Sequence, residues 1–219
     1  AADGDDDERP HPDDAVLAIS GPVVPPSLVL LRADGSTTTL GSTPDRFDSS
    51  GIEVSRHTAA SDDGTLVPYT VMRGPGPASP APTILYGYGG FEVSMRPSYA
   101  ALRGALWLEQ GGVYVVAGIR GGGEYGPAWH QAAVRERRPR AFEDFAAVAR
   151  DLVATGVTTR DQLGATGGSN GGLLMGVMLT RYPELFGALA IAVPLLDMRR
   201  YHLLLAGASW MAEYGDPDS

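Results

Sequence analysis

The run Gly167-Gly168-Ser169-Asn170-Gly171 sets a hydroxyl among glycines, after a strand-like stretch, Gln162–Thr166, and before an apolar stretch of helical period, Leu173–Tyr182. Strand, G-x-S-x-G and helix in that order make a nucleophile elbow. The chemistry explains the glycines. A serine lifted off the end of a sheet needs a turn so tight that its own backbone is strained, and side chains at Gly167 or Gly171 would clash with strand and helix. The turn also points backbone N–H groups at one spot, and the helix N-terminus adds partial positive charge suited to an oxyanion. A plain Gly-Ser loop is the alternative; the flanking elements favour the elbow.

A second glycine cluster competes for a function. Gly121-Gly122-Gly123-Glu124-Tyr125-Gly126 fits G-x-G-x-x-G, follows the strand-like Val113–Ile119, and has Asp144 about 20 residues on, as a dinucleotide site would want. Against this reading, Pro127 follows the last glycine and no helix is expected to open there, which leaves a pyrophosphate without a helix N-terminus. A nucleotide-dependent oxidoreductase using Gly121–Gly126 is therefore the runner-up.

The elements that must position these residues fall into two parts. Ala15–Ser20, Leu28–Leu31 and Thr37–Leu40 read as short strands, with a turn at Ala33-Asp34-Gly35-Ser36. Ile52–Thr58 and Leu66–Met72 make a further hairpin around Ser61-Asp62-Asp63-Gly64, and Gly74–Pro82 is a Pro/Gly/Ser connection. Then strands and helices alternate: strand Thr83–Tyr88, helix Tyr99–Gln110, strand Val113–Ile119, helix Ala141–Thr155, the elbow's own strand and helix, and strand Ala188–Val193. Such alternation, with nearly continuous Val/Ile/Ala strands, predicts a mostly parallel sheet with helices on both faces.

Composition narrows the chemistry. With Lys+Arg 17 against Asp+Glu 26, the 219 residues carry a net charge of −9, which disfavours a nucleic-acid partner. No apolar run reaches the ~18 residues of a membrane span. Cysteine is absent, which removes disulfides, thiolate metal sites and thiol nucleophiles; the basic residues are all arginine, which removes Schiff-base and Ser–Lys chemistry. No cofactor or metal is called for. The acidic start, Ala1 to Asp14, reads as a solvated tail without a leader pattern.

Four segments together resemble the prolyl oligopeptidases, serine peptidases with an α/β-hydrolase domain capped by a β-propeller. They are Tyr86-Gly87-Tyr88-Gly89-Gly90-Phe91, Ile119 to Gly126 with Trp129-His130, Gly167 to Gly172, and Leu196-Asp197-Met198 through His202 and Trp210 to Tyr214-Gly215. They occur in the family's order and spacing, and the likeness runs from about Phe47 to Ser219. Asn170 after the serine and Tyr88 in the first segment resemble prolyl oligopeptidase rather than the oligopeptidase B type. The resemblance implies an α/β fold in which residues 46–219 are the N-terminal part of an α/β-hydrolase domain. The all-β hairpins of residues 1–45 resemble the last blade of a propeller.

It also implies roles. Ser169 would be the nucleophile of an acyl-enzyme, and the Asn170 backbone N–H and the Tyr88 hydroxyl would bind the oxyanion. Trp210 would lie flat against a substrate proline ring, with Phe91 lining the same apolar pocket. Core packing is the alternative for Trp210 and Phe91, and an ordinary strand-end aromatic for Tyr88. Short peptides would be the substrates, cleaved after proline. Arg120 and Glu124 read as scaffold.

A base and an acid are still needed. In this fold class they follow the serine in the order Asp, then His. Of His11, His57, His130 and His202 only the last follows Ser169, and with Asp197 it sits on one short segment beside the elbow's exit, too early for a triad. The family's Asp and His would lie beyond Ser219. The chain is thus expected to be a fragment, partnered by the rest of its own chain and inactive on its own. An esterase or inactive relative on the same fold is the remaining alternative.

Overall fold

The computed structural model describes residues 11–76 and 80–219. Most of the acidic start and the middle of the Gly74–Pro82 connection lie outside the described residues. Strands β1 (Ala15–Gly21), β2 (Val24–Leu31) and β3 (Thr37–Ser42) form a separate antiparallel sheet in the order β1-β2-β3. At its second turn the Asp34 carboxylate accepts the Ser36 N–H at 2.8 Å and Gly35 takes φ 85°. Strand β2 begins four residues earlier than its apolar run suggests and includes Pro25 and Pro26. Prolines give a ladder no N–H, so they are tolerated here because they fall beside a register shift between Ile19 and Gly21 of β1.

The second sheet has six strands in the order β4-β5-β7-β6-β8-β9. These are β4 (Glu53–Ala60), β5 (Leu66–Arg73), β6 (Thr83–Tyr86), β7 (Val113–Ala117), β8 (Leu163–Gly168) and β9 (Ala188–Ala192). β4, β5 and β7 are joined antiparallel; β7, β6, β8 and β9 run parallel. The expected mostly parallel sheet is found in the β7, β6, β8 and β9 pairings, while β4 and β5 add two antiparallel ones. β6 and β7 stop two residues short of their apolar runs because the chain turns away at Gly87 and Gly118 to build loops above the strand ends.

Alternate residues of the central strands feed two apolar layers, as strand period requires. Val113 and Val115 face a core with Leu85, Leu163, Phe145 and Met175. Tyr114 and Val116 face a smaller one with Met72 and Leu108. The larger layer is covered by α3 (Pro139–Ala154) and α4 (Asn170–Arg181). In α3, Ala141, Phe142, Phe145, Ala149 and Leu152 are buried on one side, the i, i+3, i+4 pattern that made the segment legible. On the other face the expected helix over Tyr99–Gln110 is shorter. α1 (Ala101–Arg103) runs into a wide π-type turn, Gly104–Leu108. Tyr99 is drawn out of the helix: its ring stacks on Phe47 at 4.9 Å and its hydroxyl accepts the Arg46 N–H at 2.7 Å.

Phe145 links core to site. It is fully buried, and a methyl at Gly87, one residue before Tyr88, would meet its ring at 2.7 Å. Phe145→Ala should destabilise the protein by about 3–5 kcal/mol, the range for emptying a buried aromatic site. Denaturant unfolding would show it; a loss below ~1 kcal/mol would mean the layer re-collapses around the gap.

Candidate active site

Ser169 sits between β8 and α4 at φ 57°, ψ −118°, a left-handed conformation unusual for a residue with a side chain. Its neighbours explain the glycines. A Cβ on Gly167 would lie 2.4 Å from the Gly171 carbonyl oxygen, and one on Gly171 would lie 2.8 Å from that of Gly87. Gly172 is equally constrained, 2.6 Å from the Ala192 oxygen, whereas Gly168 has ordinary contacts. The Ser169 N–H is held by Ala192 O at 3.1 Å. Asn170 is the first residue of α4, so its N–H has no acceptor within the helix. The helix starts three residues before the apolar period because the elbow itself supplies its first turn.

Tyr88 comes to the same place: its ring would stand 3.7 Å from a methyl at Gly171, so it passes the elbow's far glycine. The Asn170 side chain is fully buried and ties the neighbourhood together. Its Nδ2 donates to the Tyr88 carbonyl. Its Oδ1 accepts from the Tyr214 hydroxyl at 2.7 Å and from Arg138. Arg138, itself buried, also donates to Glu213 Oε1 at 2.9 Å. That oxygen accepts the Phe91 N–H at 2.9 Å, and the other Glu213 oxygen meets His130 Nε2 at 2.7 Å. Burial pulls the Arg138 guanidinium below its usual pKa, opposed by Tyr214 and Glu213. Burial also raises the Tyr214 phenol, which keeps it a hydrogen-bond donor. Phe91 and Glu92 both adopt left-handed backbone, at φ 55° and 58°. The Phe91 bond to Glu213 and the Glu92 N–H to Gly121 O, 3.1 Å, hold that loop.

None of Arg138, Glu213 and Tyr214 was singled out for a role from sequence. Arg138 lies in Arg135-Glu136-Arg137-Arg138-Pro139-Arg140, and a basic run says nothing about which member is buried. Trp210 lines an open cleft of about 200 Å³ with Leu196, Tyr201, Leu204 and Leu205. Phe91 is not among that cleft's walls; its ring stands edge-on to Tyr214 at 5.6 Å, and Tyr214 edge-on to Tyr201 at 5.4 Å. Trp210 and Phe91 are thus linked through two tyrosines.

The glycine cluster after β7 is a packed turn. A Cβ on Gly121 would meet the Gly89 oxygen at 2.4 Å, and one on Gly123 the Glu92 oxygen at 2.3 Å, so the loop after β6 fills the space above them. One expectation is corrected: a short helix, α2 (Pro127–Gln131), does open after Gly126, with Pro127 in its first turn, where a missing N–H costs nothing. Asp144 is fully buried and bound to Arg120, with Nη2–Oδ1 at 2.6 Å and Nε–Oδ2 at 2.9 Å, so it has no free oxygen for a ribose. Asp63 and Ser61 complete the cluster around Arg120. Burial opposes the Arg120 charge, but its bonds to Asp144 and Asp63 outweigh this and raise its pKa; the Arg120 bond holds Asp63 low.

Among the described residues no hydrogen bond joins a histidine to Ser169. His57 meets Ser55 at 2.8 Å, His130 meets Glu213, and His202 meets Asp218 at 3.1 Å. Asp197 pairs with Arg200, so no Asp197–His202 pair forms.

With this geometry in hand, comparison with known proteins defines the class. A profile of the prolyl oligopeptidase family (Peptidase_S9) matches residues 97–219, more than half of the chain. The chain belongs to the prolyl oligopeptidase family. It is 52% identical over 188 residues to an uncharacterized peptidase of Sinorhizobium fredii, covering 85% of this chain and 26% of that one. It is 42% identical over 157 residues to a prolyl endopeptidase of Elizabethkingia miricola, covering 71% of this chain and 22% of the relative. A solved post-proline cleaving enzyme from Rickettsia typhi superposes with a TM-score of 0.87 at 41% identity, over 94% of this chain and 30% of that one. The chain therefore spans less than a third of the length of these relatives.

Asp144→Ala should leave the buried Arg120 guanidinium short of its main partner and cost about 3–5 kcal/mol. The unfolding midpoint in urea would report it. An unchanged midpoint would mean that Asp63 and solvent compensate.

Proposed function

We propose that this chain carries the nucleophile and oxyanion hole of a serine peptidase that cleaves short peptides after proline. The observation that carries the reading is Ser169 at positive φ on a glycine-walled turn between β8 and α4, in a chain of the prolyl oligopeptidase family. In this reading residues 46–219 are the N-terminal part of an α/β-hydrolase domain and residues 1–45 the end of a propeller-like domain. The strand order β4-β5-β7-β6-β8-β9, with two antiparallel strands leading into a parallel set and the serine after β8, supports the first assignment. The separate three-stranded antiparallel sheet supports the second.

Chemically, Ser169 Oγ attacks the carbonyl carbon of the proline residue and its proton passes to a base. The oxygen that gains charge is met by the Asn170 N–H and the Tyr88 hydroxyl. Collapse expels the amine, which takes the proton, and water then releases the acid from the serine ester. Since no histidine among the described residues is hydrogen-bonded to Ser169, and the chain spans less than a third of its relatives, base and acid are assigned to sequence outside these 219 residues. Trp210 is assigned to the wall that receives the proline ring, and Phe91, which stands outside that cleft, to its support through Tyr214 and Tyr201.

Three variants of the full-length protein test this. Tyr88→Phe should lower kcat far more than it changes KM, by the ~2–4 kcal/mol that an oxyanion donor supplies, because the bonded oxygen carries full charge only in the transition state. A KM defect with kcat intact would make Tyr88 a binding or packing residue, and a Ser169→Ala variant that still cleaves would remove the mechanism altogether. Trp210→Ala should reduce the preference for proline over alanine before the scissile bond by about 1–3 kcal/mol, read from kcat/KM on paired peptides. An unchanged ratio would assign Trp210 to packing.

A further inference from the structure

We infer that the side-chain amide of Asn170 is a positioning group that sets both oxyanion donors at once, and that Arg138 and Tyr214 fix its orientation. This rests on the acyl-transfer reading above and adds to it, since that reading uses only the backbone of Asn170. The amide can stand one way round. Arg138 and the Tyr214 hydroxyl both approach one atom of the Asn170 side chain, and a guanidinium has only donors, so that atom is the oxygen. The other atom, facing the Tyr88 carbonyl, must then be the nitrogen, which donates there. Asn170 is fully buried, so no solvent rearrangement replaces these bonds.

The consequence is mechanical. The backbone of Asn170 carries one proposed donor, and its side chain grips the backbone of the residue that carries the other. Tyr88 follows the end of β6 in a loop, and nothing in the sheet ladder holds it, because β6 pairing ends at Tyr86. The amide replaces that lost ladder bond. Arg138 in turn is held by Glu213, so α3, the 211–214 helix and α4 converge on one side-chain amide. Alanine after the serine would leave the N–H of residue 170 in place and remove the side-chain bond from the elbow to the Tyr88 backbone.

The sharpest test is Asn170→Asp in the full-length protein, with Ser169→Ala as a parallel control. Aspartate keeps the size, the backbone N–H and both bonds from Arg138 and Tyr214; it replaces the N–H facing Tyr88 with an oxygen that repels its carbonyl, and it adds a negative charge beside Arg138. On a proline peptide kcat should fall about tenfold or more, toward the loss from removing an oxyanion donor outright, with KM nearly unchanged. In a Tyr88→Phe background the same substitution should cost severalfold less than in the wild-type background, because the hydroxyl it positions is already gone and only the effect of the added charge remains. Two results would overturn the inference: a kcat within about twofold of wild type, or a loss that multiplies in full with that of Tyr88→Phe, since a merely structural or charge effect would not depend on the hydroxyl. Should the aspartate variant not fold, Tyr214→Phe keeps the ring against Phe91 and frees one of the two bonds orienting the amide. Its kcat loss should likewise shrink in the Tyr88→Phe background, and full multiplication would again overturn the role. Activity surviving in Ser169→Ala is a separate outcome: it would sink the acyl-transfer reading and this inference with it.

Discussion

A serine held at φ 57° is the constraint around which the rest of the site is arranged. Such a backbone costs of order 1–3 kcal/mol and persists only where its surroundings over-determine it. Here β8 is fixed on both sides by parallel pairing, and α4 packs against the same strand's face. The turn between them can close only because Gly167, Gly171 and Gly172 let carbonyl oxygens approach to distances no Cβ would allow. The Gly87 oxygen is one of those neighbours, so the elbow and the Tyr88 loop are shaped by each other. Phe145, under Gly87, carries the constraint down into the apolar layer.

Two buried arginines then do different work. Arg120 sits in a closed cluster with Asp144, Asp63 and Ser61, where nearly every donor has an acceptor and the partners favour its charge. That cluster ties the end of β7 to α3 and to the β4–β5 hairpin. Arg138 has fewer partners: Glu213 and the Asn170 amide take its outer nitrogens while its Nε has none, and burial outweighs them in its pKa. Its rigid fork holds two acceptors, Glu213 and the Asn170 amide, at a fixed separation. The left-handed backbones of Phe91 and Glu92 are stabilised by Glu213 and Gly121.

The loops above the strand ends interlock more tightly than their glycine content suggests. Gly121 and Gly123 are sites of backbone-to-backbone approach between the loop after β6 and the loop after β7, and Gly89 makes room for the Ile119 side chain. A G-x-G-x-x-G pattern fits such a packed crossing as well as it fits a phosphate cradle, because both need backbone without Cβ. What separates them is the occupant, and here the occupant is the chain itself.

The sequence alone determined those features that arise from local chemistry. Strand alternation, the buried stripe of α3 and the G-x-S-x-G turn all follow from spacing along the chain, and each can be read without knowing what lies opposite. The family's motifs likewise single out Ser169, Asn170, Tyr88, Phe91 and Trp210 by type and order. Tertiary structure decided what depends on partners far away in the chain. Which arginine of 135–140 is buried, the engagement of Glu213 by His130 and Arg138, and the burial of Asp144 against Arg120 rest on contacts between 24 and 83 residues apart. The widened turn after α1 and the short helix at Pro127 depend on what packs beside them, such as Phe47 against Gly104. A polar side chain carries no mark of whether its partner will be water or a buried amide; only the folded chain supplies that partner.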